Sequence, residues 1–257
     1  MKIQALSTGS VRIKTAMARG RGKALPLRLT RTLLDRRFTG ELPIHAWLIE
    51  HPQGPILVDT GELSDTSDPP FARFAVAREQ EIDRQLARHG LAPADLAQVV
   101  LTHLHGDHIN GLARLRGGVP VLASSEALRG GARALRRRGV TARSLSLADG
   151  PFGAFARSAA LTADGSVIAV PIPGHARGQI ALVVVEEDHH VLIAGDSAYA
   201  QQQLLDLHLD GVSLSARAAI ESMRTILEHA ALHPTVFLPS HDPASQARLA
   251  AREPLPS

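Results

Sequence analysis

Six residues, His103-Leu104-His105-Gly106-Asp107-His108, set three imidazoles and a carboxylate directly after the apolar run Val99-Val100-Leu101. These are metal-ligand side chains, and such density at the end of an apparent buried strand calls for a fold that gathers further partners around it. Three more candidates follow at long intervals. His175 stands in Pro173-Gly174-His175, Asp196 in Ala194-Gly195-Asp196 and His241 in Pro239-Ser240-His241, each behind a strand-like run. The chain must therefore bring several strand ends to one place.

Composition narrows how it can do so. The 257 residues suffice for one large core, and no repeat or low-complexity linker divides them, so residues 1–257 are expected to form a single domain. Aromatic residues are only 3%, which leaves the core to Leu, Val, Ile and Ala. There is no cysteine, so disulfides are excluded and any metal must be held by nitrogen and oxygen. No apolar stretch reaches the ~18 residues of a membrane span. The N-terminus has no apolar segment of signal-peptide length, and the expected location is cytoplasmic. Basic residues cluster from Arg12 to Arg37 and from Arg129 to Arg143, although the net charge is only +3. Phe38 is the only aromatic beside either cluster, so solvated faces are expected and nucleic acid is disfavoured as a partner.

Strands are expected at residues 3–7, 11–14, 44–50, 55–59, 98–101, 119–123, 166–170, 180–185, 190–194 and 235–238. Several are continuous and β-branched, as strands covered on both faces should be. The segments 180–185 and 190–194, joined by four polar residues, predict a hairpin. Helices are expected over 79–89, 110–115 and 243–251. Another is expected to begin at Ser213 as N-cap, with Ile220, Met223 and Leu227 on one face, and to stop before Pro234. Strands dominate each half and helices flank them. The expected class is α+β, with two mixed sheets between helical layers in a four-layer sandwich.

Five histidines with Asp107 and Asp196 suffice for two metal ions with a water or hydroxide between them. His-x-His-x-Asp-His after a strand, then Pro-Gly-His, Gly-Asp and a late Ser-His, resembles the metallo-β-lactamase-fold hydrolases. Asp59-Thr60-Gly61 matches that superfamily's early turn, so the resemblance spans almost the whole chain. It implies one ion on His103, His105 and His175, a second on Asp107, His108 and His241, and Asp196 bridging both. It also implies that Asp59 orients a ligand imidazole. Asp196 stands near where class B lactamases most often carry cysteine, which points to the lactonase and glyoxalase II branches. Tyr199, the only tyrosine, follows Asp196 by three residues as in N-acyl homoserine lactonases, where its hydroxyl reaches the substrate carbonyl. The segment Gly54-Pro55-Ile56-Leu57-Val58-Asp59-Thr60-Gly61 is similar to that branch too. Two stretches depart from it: Ile109-Asn110-Gly111, and Ala176-Arg177-Gly178-Gln179 with its added cation near the site.

The implied function is opening of a lactone ring, in the first instance an N-acyl homoserine lactone, by a hydroxide bridging two divalent ions. Zinc is the expected metal, with Mn, Fe or Co compatible with the same donors. Asp107 would carry the proton to the leaving alkoxide, and Tyr199 would help polarise the carbonyl. The alternatives are a same-fold hydrolase of another ester, thioester or phosphoester, a nuclease included, and a non-hydrolytic metal-dependent redox or binding protein. The expected partner is a small lactone or ester, and a homodimer is an option. The other eight histidines, His45, His51, His89, His189, His190, His208, His229 and His233, lack ligand spacing and are read as non-ligands, most of them in surface segments. Packing is the simplest role for Phe71 and Phe74, and Tyr199 could instead bond its hydroxyl to backbone.

Overall fold

The computed structural model describes residues 1–115 and 118–256. Strands β1 (Lys2–Ile13), β2 (Leu42–Glu50), β3 (Ile56–Val58), β4 (Ala72–Ala75), β5 (Gln98–Val100), β6 (Val121–Ser124) and β7 (Arg143–Leu145) form one sheet. Its order is β4-β1-β2-β3-β5-β6-β7. Strands β8 (Ala159–Ala160), β9 (Val167–Pro171), β10 (Ile180–Val185), β11 (His190–Ile193) and β12 (Thr235–Leu238) form the second, in order β12-β11-β10-β9-β8. Both sheets are mixed: β3, β5, β6 and β7 run parallel, as do β11 and β12, and the remaining pairs are antiparallel.

The period of two along a strand explains the layers. In β10, Ile180, Leu182 and Val184 face the other sheet, while Ala181 and Val183 pack with Met223 and Ile226 of the helix Ala216–Leu232. In β12, Val236 and Leu238 point inward and Phe237 outward. The first sheet mirrors this. Ile56 and Val58 of β3 join the inter-sheet core, and Leu57 packs with Ile82 and Leu86 of the helix Ile82–Arg88. Both faces of each sheet are apolar, so each needs a helical cover, and a sandwich of helix, sheet, sheet and helix results. The α+β class with two mixed sheets is the one expected.

Element by element there are differences. The strands expected at 3–7 and 11–14 merge into one long strand, β1, which ends at Ile13 and whose register against β2 shifts between Ser7 and Ser10. Strand 119–123 lies at Val121–Ser124. Helix 79–89 is a 3₁₀ turn, Arg78–Gln80, followed by Ile82–Arg88. Segment 110–115 is also 3₁₀, Asn110–Arg114, and 243–251 shortens to Ser245–Ala251. The cap of the long helix is Ser215, whose hydroxyl accepts from Ala218 N. Ser213 is occupied elsewhere: its hydroxyl donates to Asp210 at 2.6 Å.

Candidate metal centre

The site forms where strands end. Asp59 follows β3, His103 follows β5, His175 follows β9, Asp196 follows β11 and His241 follows β12. Parallel pairing of β3 with β5 and of β11 with β12 brings their carboxyl ends to the same side of each sheet. Loops leaving one end of the sandwich thus converge.

Two groups of donor atoms result. One ligand atom each from His103, His105, His175 and Asp196 lie within 4.8 Å of one another, and so do those of Asp107, His108 and His241. Asp196 stands between the groups. Its Oδ1 is 3.2 Å from His108 Nε2 and 3.4 Å from His241 Nε2, and its Oδ2 is 3.5 Å from His175 Nε2. All seven residues expected from the sequence are brought together.

The imidazoles are held from behind. His108 Nδ1 donates to Asp59 Oδ2 (2.8 Å), His175 Nδ1 to Asp210 Oδ2 (3.0 Å) and His241 Nδ1 to Pro43 O (2.8 Å). Thr102 Oγ1 donates to Asp59 Oδ2 at 2.7 Å and receives His103 Nδ1 at 3.1 Å. With Nδ1 so engaged, these four imidazoles turn their Nε2 lone pairs into the site, whereas His105 presents its Nδ1, 3.0 Å from His103 Nε2 and from His175 Nε2.

Asp59 carries this arrangement with a left-handed backbone, φ +59°. That costs roughly 1–2 kcal/mol for a residue with a side chain, offset by the hydrogen bonds its carboxylate receives from Thr102 and His108. Gly61, two residues on, has φ +70°, and a Cβ there would lie 2.1 Å from Thr8 Oγ1, so only glycine closes this turn.

Charge fits a cation. Burial opposes ionisation of Asp196, yet His241 and His108 hold its carboxyl well below the usual carboxylate range. Burial opposes a charge on His108 as well, but Asp196, Asp59 and Asp107 outweigh it and raise that imidazole well above its ordinary value. His175 and His241 are raised against burial in the same way, chiefly by Asp210 and by Asp196 respectively. The carboxylates thus favour positive charge at this spot, which a metal cation supplies in place of protons. His108 Nε2 and Asp196 Oδ1 are buried and, though 3.2 Å apart, are not aligned to complete a hydrogen bond. A divalent cation suits both atoms, and the N/O donor set fits it.

A cavity of about 390 Å³ opens onto His105, Asp107, Asp196 and His241. Tyr199, 6% exposed, lies in its wall, its ring edge-on to His241 with centroids 5.4 Å apart. The alternative of a backbone bond to its hydroxyl does not hold: among the described residues that hydroxyl makes no hydrogen bond, and only the Tyr199 N–H is engaged, by Gln203 at 2.8 Å. Burial, then Asp210, Asp196 and Asp107, push the phenol well above its ordinary value, so it keeps its proton. Val11, Ile13, Met17, Phe71, Phe74 and Val212 make the apolar side. Phe71 and Phe74 therefore line the pocket, and Phe74 also packs as expected, against the cluster of Val11, Ile13 and Ile44. Arg177 does not reach it; its side chain lies over Gly130 of the helix Ser125–Arg136.

Sequence reasoning missed Asp210, Glu62 and Asn110. Glu62 is 1% exposed, lines the cavity, and accepts from Asn110 Nδ2 at 2.6 Å. None stands in a ligand-like spacing, so only the fold reveals them. The placement of the remaining histidines also needs correction. His45, His51, His190 and His229 are buried, not on the surface, because each lies in or beside a covered strand or helix.

A profile of the Metallo-beta-lactamase superfamily matches residues 39–241, which contain every residue of both donor groups. The chain belongs to the metallo-β-lactamase superfamily. A probable metallo-hydrolase of Mycobacterium tuberculosis is 35% identical over 181 residues, 60% of this chain and 56% of that protein, so the chain spans little more than half the length of that relative. The N-acyl homoserine lactonase AttM of Agrobacterium fabrum is 24% identical over 228 residues, 80% of this chain and 84% of that one. Among solved structures, a quorum-quenching N-acyl homoserine lactone hydrolase superposes with a TM-score of 0.76 at 19% identity, covering 95% of this chain and 93% of its own. AidC, a dizinc quorum-quenching lactonase, gives 0.67 at 14% identity, covering 94% and 87%. At such identities the superpositions establish the metallo-β-lactamase fold.

Proposed function

We propose that this metal-dependent hydrolase of the metallo-β-lactamase superfamily opens lactone rings, with N-acyl homoserine lactones as the substrate class, and that residues 1–257 act as one domain. Such an activity would serve quorum quenching. The reading rests on one observation above all: a single cavity joins an apolar wall of Val11, Ile13, Met17, Phe71 and Phe74 to Asp107, Asp196, His241 and Tyr199. An acyl chain fits the first and a polar ring the second.

His103, His105 and His175 would hold one divalent ion and Asp107, His108 and His241 a second, with Asp196 shared; zinc is the expected metal. The ions would supply Lewis acidity and lower the pKa of a bound water toward about 7. The chain's own groups do the rest. Tyr199, protonated and facing the cavity, donates to the substrate carbonyl as its oxygen gains charge. Asp107, its side chain partly open to the cavity, takes the proton lost by the attacking water and delivers it to the alkoxide released as the ring acyl C–O bond breaks. Asp59 and Asp210 keep the imidazoles oriented throughout.

The test is a substrate panel followed by proton release: homoserine lactones of graded acyl length, simple lactones, thioesters and phosphodiesters. The highest kcat/KM should fall on acylated homoserine lactones. A clear preference for thioesters or phosphodiesters would replace this reading with another chemistry of the same fold.

A further inference from the structure

None of the arginines between Arg12 and Arg37 belongs to the donor groups, although Arg28 lies within electrostatic reach of Asp210. The turn Thr15–Ala18 separates two cavities: Met17 lines the catalytic one, whereas Thr15 and Ala16 line a second, of about 620 Å³. Arg19, Arg21, Arg28, Arg31 and Arg37 line this second cavity against one carboxylate, Asp35. Asp35 is already engaged. Its Oδ2 accepts from Ala16 N at 2.8 Å and its Oδ1 from Arg37 N at 3.0 Å, and its ion pair with Arg37 Nε spans 3.5 Å. Among the described residues, Arg19, Arg21 and Arg31 form no ion pair.

Arg28 adds a buried cation to this lining. It is 1% exposed; its Nη1 donates to Lys23 O (2.5 Å) and Gly22 O (3.3 Å), and its Nη2 donates to Ser213 O. Its Nε is buried and has no partner. An orphaned donor on a buried cation is costly, and several like charges around one cavity repel. An anion with several oxygens relieves that repulsion, and the planar guanidinium fork matches phosphate geometry.

We propose that this cavity binds a phosphoryl group, carried either by a soluble phosphate compound or by an anionic phospholipid headgroup. The lipid source enters because Leu27, Leu33 and Leu34, on the helix Leu25–Leu34 that also carries Arg28 and Arg31, are 46%, 61% and 75% exposed. Phe38, the neighbouring aromatic, has the Lys14 and Arg73 side chains over its ring, so it offers a nucleic-acid base no open stacking face.

The experiment has two arms on the intact protein: calorimetric titration with inorganic pyrophosphate, and co-sedimentation with phosphatidylcholine vesicles with and without phosphatidylglycerol. Each is run on wild type and on the double variant Arg21→Gln/Arg31→Gln, whose exposed side chains lie outside the metal centre, so folding and hydrolytic turnover should match wild type. Saturable binding in at least one arm, weakened about tenfold or more in the variant, is expected. Arginine-dependent binding in the pyrophosphate arm identifies a soluble source, and in the vesicle arm alone a lipid one. No binding in either arm, or equal binding by wild type and variant, overturns the proposal.

Discussion

Asp59 shows how much one residue can organise. Its carboxylate orients His108 directly and His103 through Thr102, so both donor groups depend on a single strained turn. Asp107 and Tyr199 face the cavity from the same centre and carry the chemical predictions. Asp107→Asn should lower kcat by about 10²–10⁴-fold, the usual worth of a positioned acid–base group. Near wild-type turnover in single-turnover kinetics would remove it from the proton path. Tyr199→Phe should cost about 1–3 kcal/mol in kcat/KM, since a buried donor to a developing oxyanion is lost while packing is kept. Unchanged kcat/KM on every accepted lactone would leave the ring a packing role alone.

At the scale of elements, the His175 loop is fixed by close approach. Gly174 has φ +142°, and a Cβ on it would lie 2.3 Å from the backbone of Ala219 in the helix Ala216–Leu232. Backbone cannot yield as a side-chain end can. Gly174→Ala should therefore destabilise by about 1–3 kcal/mol in a denaturant titration and weaken metal retention, because His175 moves with the loop. An unchanged midpoint would mean that loop and helix separate at little cost.

The elements also show what a sequence can convey. Buried strands such as Ile180–Val185 were legible because a short, unbroken apolar run rich in β-branched residues suits a strand covered on both faces and little else. The hairpin to β11 was legible from its polar loop, with Val185 opposite His190 as expected. Short edge strands, Ala72–Ala75, Arg143–Leu145 and Ala159–Ala160, were not, because two to four residues carry no period. The cap shifted from Ser213 to Ser215 because Asp210, three residues earlier, claims the Ser213 hydroxyl. The donor residues stood out through dense spacing and strand-end placement. Asp210, Glu62 and Asn110 did not, since their roles arise only from tertiary contact.

For the whole molecule, the sandwich separates chemistry from another polar cluster. The loops carrying Asp196 and His241 leave the carboxyl ends of β11 and β12, whereas His190 opens β11 at its amino end. There it meets His229, Nδ1 to Nε2 at 3.0 Å, and stacks with His233. Burial, followed by the neighbouring imidazoles, lowers His190 and His229 from 6.5 to about 4. An unfolded chain protonates them near pH 6.5 and the folded one only near pH 4, so the unfolded state binds more protons between these values. Stability should then fall as pH drops from about 6.5 toward about 4, with no contribution from these groups above that window. Thermal melts across the window should be less steep in pH for His229→Gln than for wild type. Identical slopes would contradict the assignment.

Strand ends from both sheets converge on the donor groups, and the central claim is that they assemble a two-metal hydrolytic centre. Metal analysis of the purified protein, paired with lactone turnover before and after chelation, tests it most directly. About two divalent ions per chain, with turnover lost on their removal and restored on their return, is the predicted result. Fully active protein without metal would contradict it.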